Sequence, residues 1–459
     1  VTWRTAGQGS EVPARCRKSP AQSRGARYLC PILSHRRLRI RVAGARVFCD
    51  QVPPLRRAHV GGFPGTGATG SGSRAPTQST IWEVTLSAGT GIPTRSGPTT
   101  AVPGTAAFAT AVEQALTEFF TSRRDPVAEL GPVFADSVEA LESFTLRGGK
   151  RTRPGFAWMG WLGAGGDPAS AEAAAVLRAC SALELVQACA LIHDDIIDCS
   201  RTRRRFPTVH VDFEQRHRQA GWAGDSAHYG ESVAVLLGDL ALAWADDMVH
   251  DAGLDAAALA RFAPVWARMR TEVLGGQLLD VHGEASGDES VAAALRINRY
   301  KTAAYTVERP LHLGGALADA DPGLIAAYRT YGTDIGIAFQ LRDDLLGVFG
   351  DPAVTGKPSG DDLREGKRTV LVAEALQRAA ETDPGAGDTL RAAIGTDLSD
   401  AQVGELRALL LELGAVDAVE ARISALTEQG LSAIDASSAT PEAKTRLREM
   451  ALAATRRTA

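Results

Sequence analysis

Aromatic residues make up only 6% of this 459-residue chain, and methionine occurs four times. With β-branched runs also scarce and a 44% hydrophobic content rich in Ala and Leu, a sheet-dominated core is excluded and a helical one expected. Cysteine occurs six times without metal-ligand spacing. Cys16, Cys30 and Cys49 lie in the N-terminal part, and Cys180, Cys189 and Cys199 fall on or beside one predicted helix. Disulfides between positions on one helix are geometrically poor, so a reducing, cytoplasmic setting is the simpler expectation. No apolar run reaches the roughly 18–20 residues that a membrane span needs. The net charge is only −4, which excludes a nucleic-acid binder built over the whole chain. No internal repeat is visible.

That near-neutral charge hides an asymmetry. Residues 1–104 carry fifteen Lys/Arg against three acids and are rich in Gly, Ser, Thr and Pro, without helical or strand periodicity. Such a stretch buries too little apolar surface to offset its ordering entropy, and a disordered basic arm is expected over 1–104. Its Arg-rich, acid-poor composition superficially fits a targeting segment. The chain opens on Val1 and has no methionine before Met159, so a start site assigned too far upstream is the preferred reading. From Thr105 the pattern turns abruptly amphipathic, and residues 105–459 are expected to form one helical domain. Further helices are predicted over Val127–Thr145 and Ala171–Ile197, with a polar loop over Gln215–Ser232.

The chemistry concentrates in QACALIHDDIIDCSRTRRRFPTVH, residues 187–210. Asp194, Asp195 and Asp198 end an apolar helical run, and Arg203, Arg204 and Arg205 follow at once. At about 100° per residue, Asp194 and Asp198 share a helix face, with Gln187 two turns below. Converging carboxylates with no basic partner on the helix call for a cation, and hard oxygen donors suit Mg²⁺ better than zinc. The arginines suit phosphate oxygens. Metal, arginine and an apolar helix together point to a ligand with a diphosphate head and a hydrocarbon tail. A second acid pair recurs in GIAFQLRDDLLGVFGD, where Gln340, Asp343 and Asp344 stand at i, i+3 and i+4. Two such pairs far apart in sequence imply one shared metal site. A third pair, Asp246-Asp247, has no arginines after it and reads as a solvated or interface face.

Six motifs follow in order: GGKRTRP (148–154), HDDIID with RTRRRFPTVH (193–210), GGQLLD (275–280), YKTAAY (300–305), FQLRDDLLGVFGD (339–351) and TGKPSGDDLREGKRT (355–369). From about residue 105 onward the chain resembles the polyprenyl synthetase family of trans-isoprenyl diphosphate synthases. The resemblance implies an all-α fold, a helical bundle around a deep central cavity with both acid motifs at its mouth. It implies a soluble, homodimeric enzyme that condenses isopentenyl diphosphate with an allylic diphosphate, using about three Mg²⁺ ions held by Asp194, Asp195, Asp198, Asp343 and Asp344. Lys150, Arg153, Arg204 and Gln187 match positions that bind the isopentenyl diphosphate. Arg203, Lys301, Lys357 and Gln277 match positions on the allylic side, and Asp280 completes the Gln-x-x-Asp motif. Thr302 and Gln340 match residues that steady the carbocation, Lys367 lies in a segment that closes over the site, and His193 is expected to orient the acids.

Two departures stand out. Arg205-Phe206 replaces the glycine that usually follows the arginine pair, and Gly347 replaces the third aspartate of the second motif; Asp351 lies too far along to substitute. Positions 189 and 190, five and four residues before Asp194, are Cys189 and Ala190, where short-chain synthases often carry an aromatic block. An open floor there implies products beyond C15, with geranylgeranyl diphosphate (C20) expected and farnesyl or longer polyprenyl products as alternatives. A class I terpene cyclase would not need Lys150, Arg153 and the second acid pair. A non-catalytic subunit of a heteromeric synthase would usually have lost acids from one motif.

Overall fold

The computed structural model of the protein describes residues 106–350 and 360–456, so the expected arm over 1–104 and the residue Lys357 lie outside the described residues. Among the described residues the chain is helical throughout, apart from one two-residue hairpin. In chain order the helices are α1 Ala106–Ser122, α2 Arg124–Glu129, α3 Pro132–Leu146, α4 Thr152–Gly163, α5 Ala173–Ser181 and α6 Leu183–Ile197. The strands β1 Thr202–Arg203 and β2 Phe206–Pro207 come next, then α7 Val209–Ala220, α8 Ser226–His250, α9 Ala256–Ser286 and α10 Val291–Ile297. A π-helix, Asn298–Glu308, leads into α11 Arg309–Leu317 and α12 Pro322–Phe349. The chain ends with α13 Asp361–Glu365, α14 Val370–Thr382, α15 Pro384–Ala393, α16 Asp400–Glu412, α17 Ala415–Asp435 and α18 Pro441–Thr455.

Local chemistry sets many of these boundaries. Asp225, Asp255, Ser290, Asp321, Thr369 and Ser399 each cap a helix N-terminus through their side chains. The single helix expected over Val127–Thr145 divides in two, because Gly131 takes a φ of 96° and Pro132 starts α3. The polar loop expected over Gln215–Ser232 shrinks to a short turn between α7 and α8: Gly221 ends α7 in the left-handed region and Asp225 caps the next helix.

A large apolar core joins α1, α4, α5, α6, α8 and α9 through Phe108, Leu116, Trp161, Leu185, Ile192, Trp244 and Phe262. A second, around α14, α16 and α17, packs against the far half of α12. The run Ala173–Ile197, contrary to the sequence expectation, is long and apolar enough to cross a membrane, yet 72% of its most apolar window is buried in this protein. It is apolar on nearly all sides because α6 runs through the main core. Helices α4 and α11 cross at backbone contact: a Cβ at Gly314 would lie 2.6 Å from the Trp161 nitrogen, and one at Gly160 3.0 Å from the Leu311 carbonyl carbon.

The π-helix decides the site. Its wider turn, which often marks functional segments, lies between α9 and α12, and glycines face it on both sides. A Cβ at Gly276 of α9 would lie 2.6 Å from Lys301 Cα, one at Gly336 of α12 2.6 Å from Ala303 Cα, and one at Gly332 2.7 Å from the Glu308 nitrogen. Small residues on both neighbours therefore fix where Lys301 and Thr302 stand.

Candidate active site

Helix α6 buries Leu185, Val186, Cys189 and Ile192 and presents Gln187, Asp194 and Asp198 to one side. Asp194 and Asp198 face a cavity of about 740 Å³. Asp195, expected beside them as a metal-holding acid, is 1% exposed and does not line that cavity. One residue further round the helix, it is turned inward and receives Arg203, whose Nε and Nη2 stand 2.8 and 2.7 Å from Asp195 Oδ1. The same guanidinium lies 3.5 Å from Asp194 Oδ2. Asp195 is thus the anchor that aims Arg203 at the cavity.

Lys301 Nζ reaches from the π-helix to Asp194 Oδ1 at 3.1 Å and Asp280 Oδ2 at 2.5 Å, and Gln277 Nε2 donates to Asp194 Oδ1 at 3.2 Å. Burial by itself would raise the Asp194 pKa, but Lys301, Arg203 and Lys367 outweigh it and hold the carboxyl below its usual range. Asp198 lacks so close a cation. Burial, and then the Asp194 charge, push it up to about 6. His193 turns away from the acids: its Nε2 lies 3.1 Å from the Val235 carbonyl of α8, in space left open by Gly238, where a Cβ would overlap the imidazole ring. It docks α6 onto α8 rather than orienting the aspartates.

Across the cavity, Thr302 Oγ1 donates to Gln340 Oε1 at 2.7 Å, and Gln340 Nε2 donates to Asp344 Oδ1 at 2.8 Å. Asp344 is 5% exposed, and its other oxygen, Oδ2, is buried without a hydrogen-bond donor. Burial pushes its pKa up to about 7 against the Gln340 bond, with the charges of Asp362 and Asp343 adding to the rise. Asp343 lines the cavity beside it. The intervening Arg342 points backward, pairing with both Glu420 oxygens at 2.5 and 2.7 Å and donating to the Thr455 carbonyl at 2.8 Å, which ties the second motif to α17 and α18.

The third wall is basic. Lys150, Arg153, Arg203, Arg204 and Gln187 all line the cavity, as do Lys367 from beyond α13 and the small Cys189 and Ala190 of α6. Arg153 donates to Thr306 Oγ1 at 3.0 Å and lies 4.1 Å over the Tyr305 ring, so both its reach and its plane are fixed. Gly149 takes a φ of 117°, which side chains resist, and this turns the loop before α4 past the Arg204 guanidinium. Beneath this wall Arg151, left-handed at φ 48°, is buried and pairs with Glu184 at 2.5 Å while donating to the Thr145 and Leu146 carbonyls.

Arg204 and Arg205 form the two-residue turn between β1 and β2, with φ of 53° and 69°. Both are in the left-handed region that a type I′ turn demands and that side chains resist. Where Arg205-Phe206 departs from the family's glycine, the turn carries backbone strain, and Phe206 folds back under the Arg147 guanidinium at 4.2 Å. Arg205→Gly is expected to relieve the strain and raise stability by about 1 kcal/mol. Urea unfolding checks this, and a destabilised variant would contradict it.

The structure therefore gathers every described candidate around one cavity except Asp195. Asp246 accepts from Trp266 Nε1 at 2.6 Å and pairs with Arg270, an inter-helix tie whose members do not line this cavity. The polyprenyl synthetase family model matches residues 137–410. The chain belongs to the polyprenyl synthetase family. A solved structure of geranylgeranyl pyrophosphate synthase from Corynebacterium glutamicum, complexed with isoprenyl diphosphate and magnesium, is 51% identical, with a TM-score of 0.74 over 76% of this chain and 99% of that one. Geranylfarnesyl diphosphate synthase of Aeropyrum pernix is 34% identical over 60% of this chain and 79% of its own. Geranylgeranyl diphosphate synthase of Saccharolobus solfataricus is 31% identical over 54% and 69%. The chain is a trans-prenyltransferase.

In this polyprenyl synthetase the acids suit a hard divalent cation. The donors facing the cavity from α6 and α12 are carboxylates, and the buried Asp344 Oδ2 lacks a donor. Among the described residues no three acidic, His or Cys side chains converge tightly enough to enclose one ion by themselves. Sequence reasoning missed the buried Arg151–Glu184 pair, the anchoring role of Asp195, and Asp362. Arg-Glu and Asp-Arg pairs carry no periodic signal when their members lie on different elements.

Proposed function

We propose that this prenyltransferase extends an allylic diphosphate with isopentenyl diphosphate to geranylgeranyl diphosphate, C20, in a Mg²⁺-dependent reaction. The observation that carries the reading is one cavity with acids from α6 and α12 on two walls, a basic third wall, and small residues below the first acid motif.

Asp194, Asp198, Asp343 and Asp344 are the side chains that would hold Mg²⁺, about three ions by the family's pattern, which when bound neutralises the diphosphate. Arg203 and Lys301 bind the allylic diphosphate and stabilise the charge that grows as its C–O bond breaks and the electron pair leaves with the phosphate. Gln277 and Asp280 keep Lys301 and Asp194 in register. Lys150, Arg153, Arg204 and Gln187 bind the isopentenyl diphosphate, so that its double bond faces the allylic carbon. The new C–C bond leaves a tertiary cation. Thr302 and Gln340 steady it with their oxygens, and the released diphosphate takes the proton. Lys367, which lines the cavity from beyond α13, covers the phosphates and helps exclude water.

The tail runs down past Cys189 and Ala190 toward Leu242, Val273 and Leu274, which also line the cavity. Burial pushes the Cys189 thiol up to about 12, so it stays neutral and apolar beside a hydrocarbon. One helical turn, about 5.4 Å, is close to one extended isoprene unit, so a floor one turn lower admits roughly one more unit. Leu274, Leu278 and Val281 are exposed on one face of α9, and Leu236 is exposed on α8. Apolar residues at i, i+4 and i+7 support a homodimer in which the second copy covers the cavity wall at Leu274. Residues 105–459 form the catalytic domain, and the cytoplasm is its compartment.

The test is to size the products of the full-length wild type and of Cys189→Phe, each with isopentenyl diphosphate, Mg²⁺ and C5, C10 or C15 primers. A main C20 product, shortened to C15 or less by the phenylalanine, is expected. A different main product from the wild type, or an unchanged length in the variant, overturns the chain-length reading.

A further inference from the structure

The second acid motif lacks its third aspartate, since Gly347 stands in that place, yet the space there is filled. A Cβ built on Gly347 would coincide with the Asp362 carboxylate, 2.5 Å from its Cγ and closer still to Oδ2. The Gly360 N–H donates to the Gly347 carbonyl at 3.1 Å, which brings α13 onto the last turn of α12, and the left-handed φ of 81° at Gly360 turns the chain into that helix. Asp343 and Asp344 precede Gly347 by four and three residues, so all three positions share one face of α12. A carboxylate lying over Gly347 thus stands one turn from both acids.

Three further observations tie Asp362 to this site. It is only 13% exposed, so it is a part of the fold and not a solvated surface acid. Its charge bears on Asp344, whose buried Oδ2 has no hydrogen-bond donor. Lys367 Nζ lies 3.5 Å from Asp362 Oδ1, 2.8 Å from Glu365 and 3.9 Å from Asp198, so this one ammonium links the returning segment to the first acid motif.

We propose that Asp362 supplies the third carboxylate of the second acid motif from a separate helix, and that Gly347 is there to admit it. Asp362 is a positioning residue: it sets the charge around Asp344 and holds Lys367 facing Asp198, and it touches no reacting atom. The inference rests on the divalent-metal reading of the site given above.

The test measures Mn²⁺ binding by electron paramagnetic resonance, with inorganic diphosphate present, on the full-length protein. Removing an outer partner of a metal site typically weakens affinity by roughly 10-fold or more, and that loss is expected for Asp362→Ala. Gly347→Asp alone places two carboxylates in one space and is expected to bind Mn²⁺ more weakly and to melt earlier. The double variant, Gly347→Asp with Asp362→Ala, moves the carboxylate onto α12 and is expected to regain most of the lost affinity, which a merely structural role for Asp362 would not produce. Wild-type affinity in Asp362→Ala, or a natively melting double variant that binds no better than Asp362→Ala, overturns the proposal. Should the glycine variants not fold, Asp362→Asn decides, since it keeps the shape and removes only the charge: unchanged affinity overturns the proposal and weakened affinity upholds it. A wild type that binds no Mn²⁺ at all would instead defeat the metal reading itself.

Discussion

Asp194→Ala and Asp343→Ala are each expected to lower kcat by about 10³-fold or more while leaving the melting temperature within a few degrees of wild type. The two residues lie on different helices, α6 and α12, and face the same cavity. Asp194 sits at the junction of Lys301, Gln277 and Arg203, so its loss removes a carboxylate proposed to hold the cation and leaves Lys301 paired with Asp280 alone. Folding should not suffer much, because the carboxylates at the cavity contribute charge repulsion as well as ion pairs. Steady-state kinetics with an allylic primer at saturating Mg²⁺ checks this. Near-normal turnover in either variant would remove that residue from the metal-holding set.

Gly276→Ala is expected to be the most damaging single-methyl change near the site. The added carbon would lie 2.5 Å from the Tyr300 carbonyl carbon and 2.6 Å from Lys301 Cα, and these are backbone atoms with no rotamer to change. Overpacking a core costs about 1–3 kcal/mol, and a clash with backbone belongs at or above the top of that range. The π-helix must move off α9 or deform, and either response shifts Lys301 away from Asp194 and Asp280. The expected result is a loss of about 3 kcal/mol or more in urea unfolding, with kcat falling about 10²-fold in whatever protein remains folded. The neighbouring Gly275 serves as the control. A Cβ there meets nothing within 4 Å, so Gly275→Ala should cost neither stability nor turnover.

These two cases mark where the sequence was legible and where it was not. The acids, the Lys301-Thr302 pair and the Gly-Gly-Lys loop could be read because each is a short string of chemistry on one element, and their shared cavity followed from the family's order of motifs. Helical periodicity placed Asp194 and Asp198 on one face. It also turned Asp195 inward, yet the Asp-Asp pair read as a unit, and only the position of Arg203 shows which member is the anchor. The π-helix could not be read, because its wider turn depends on Gly276, Gly332 and Gly336, which come from two other helices. Gly347 looked like a loss for the same reason. The carboxylate in its place comes from a segment that returns from beyond the end of α12, and no local pattern records that return.

In the proposed function the two acid motifs act as one metal-dependent site for an allylic diphosphate. The most direct test is equilibrium binding of an unreactive allylic thiolodiphosphate to the wild type, with Mg²⁺ and after its removal with EDTA, alongside Asp194→Ala and Asp343→Ala. Binding that is tight only with Mg²⁺, and weakened in both variants, is the predicted result. Equal affinity with and without Mg²⁺, or a loss in one variant and none in the other, would contradict it.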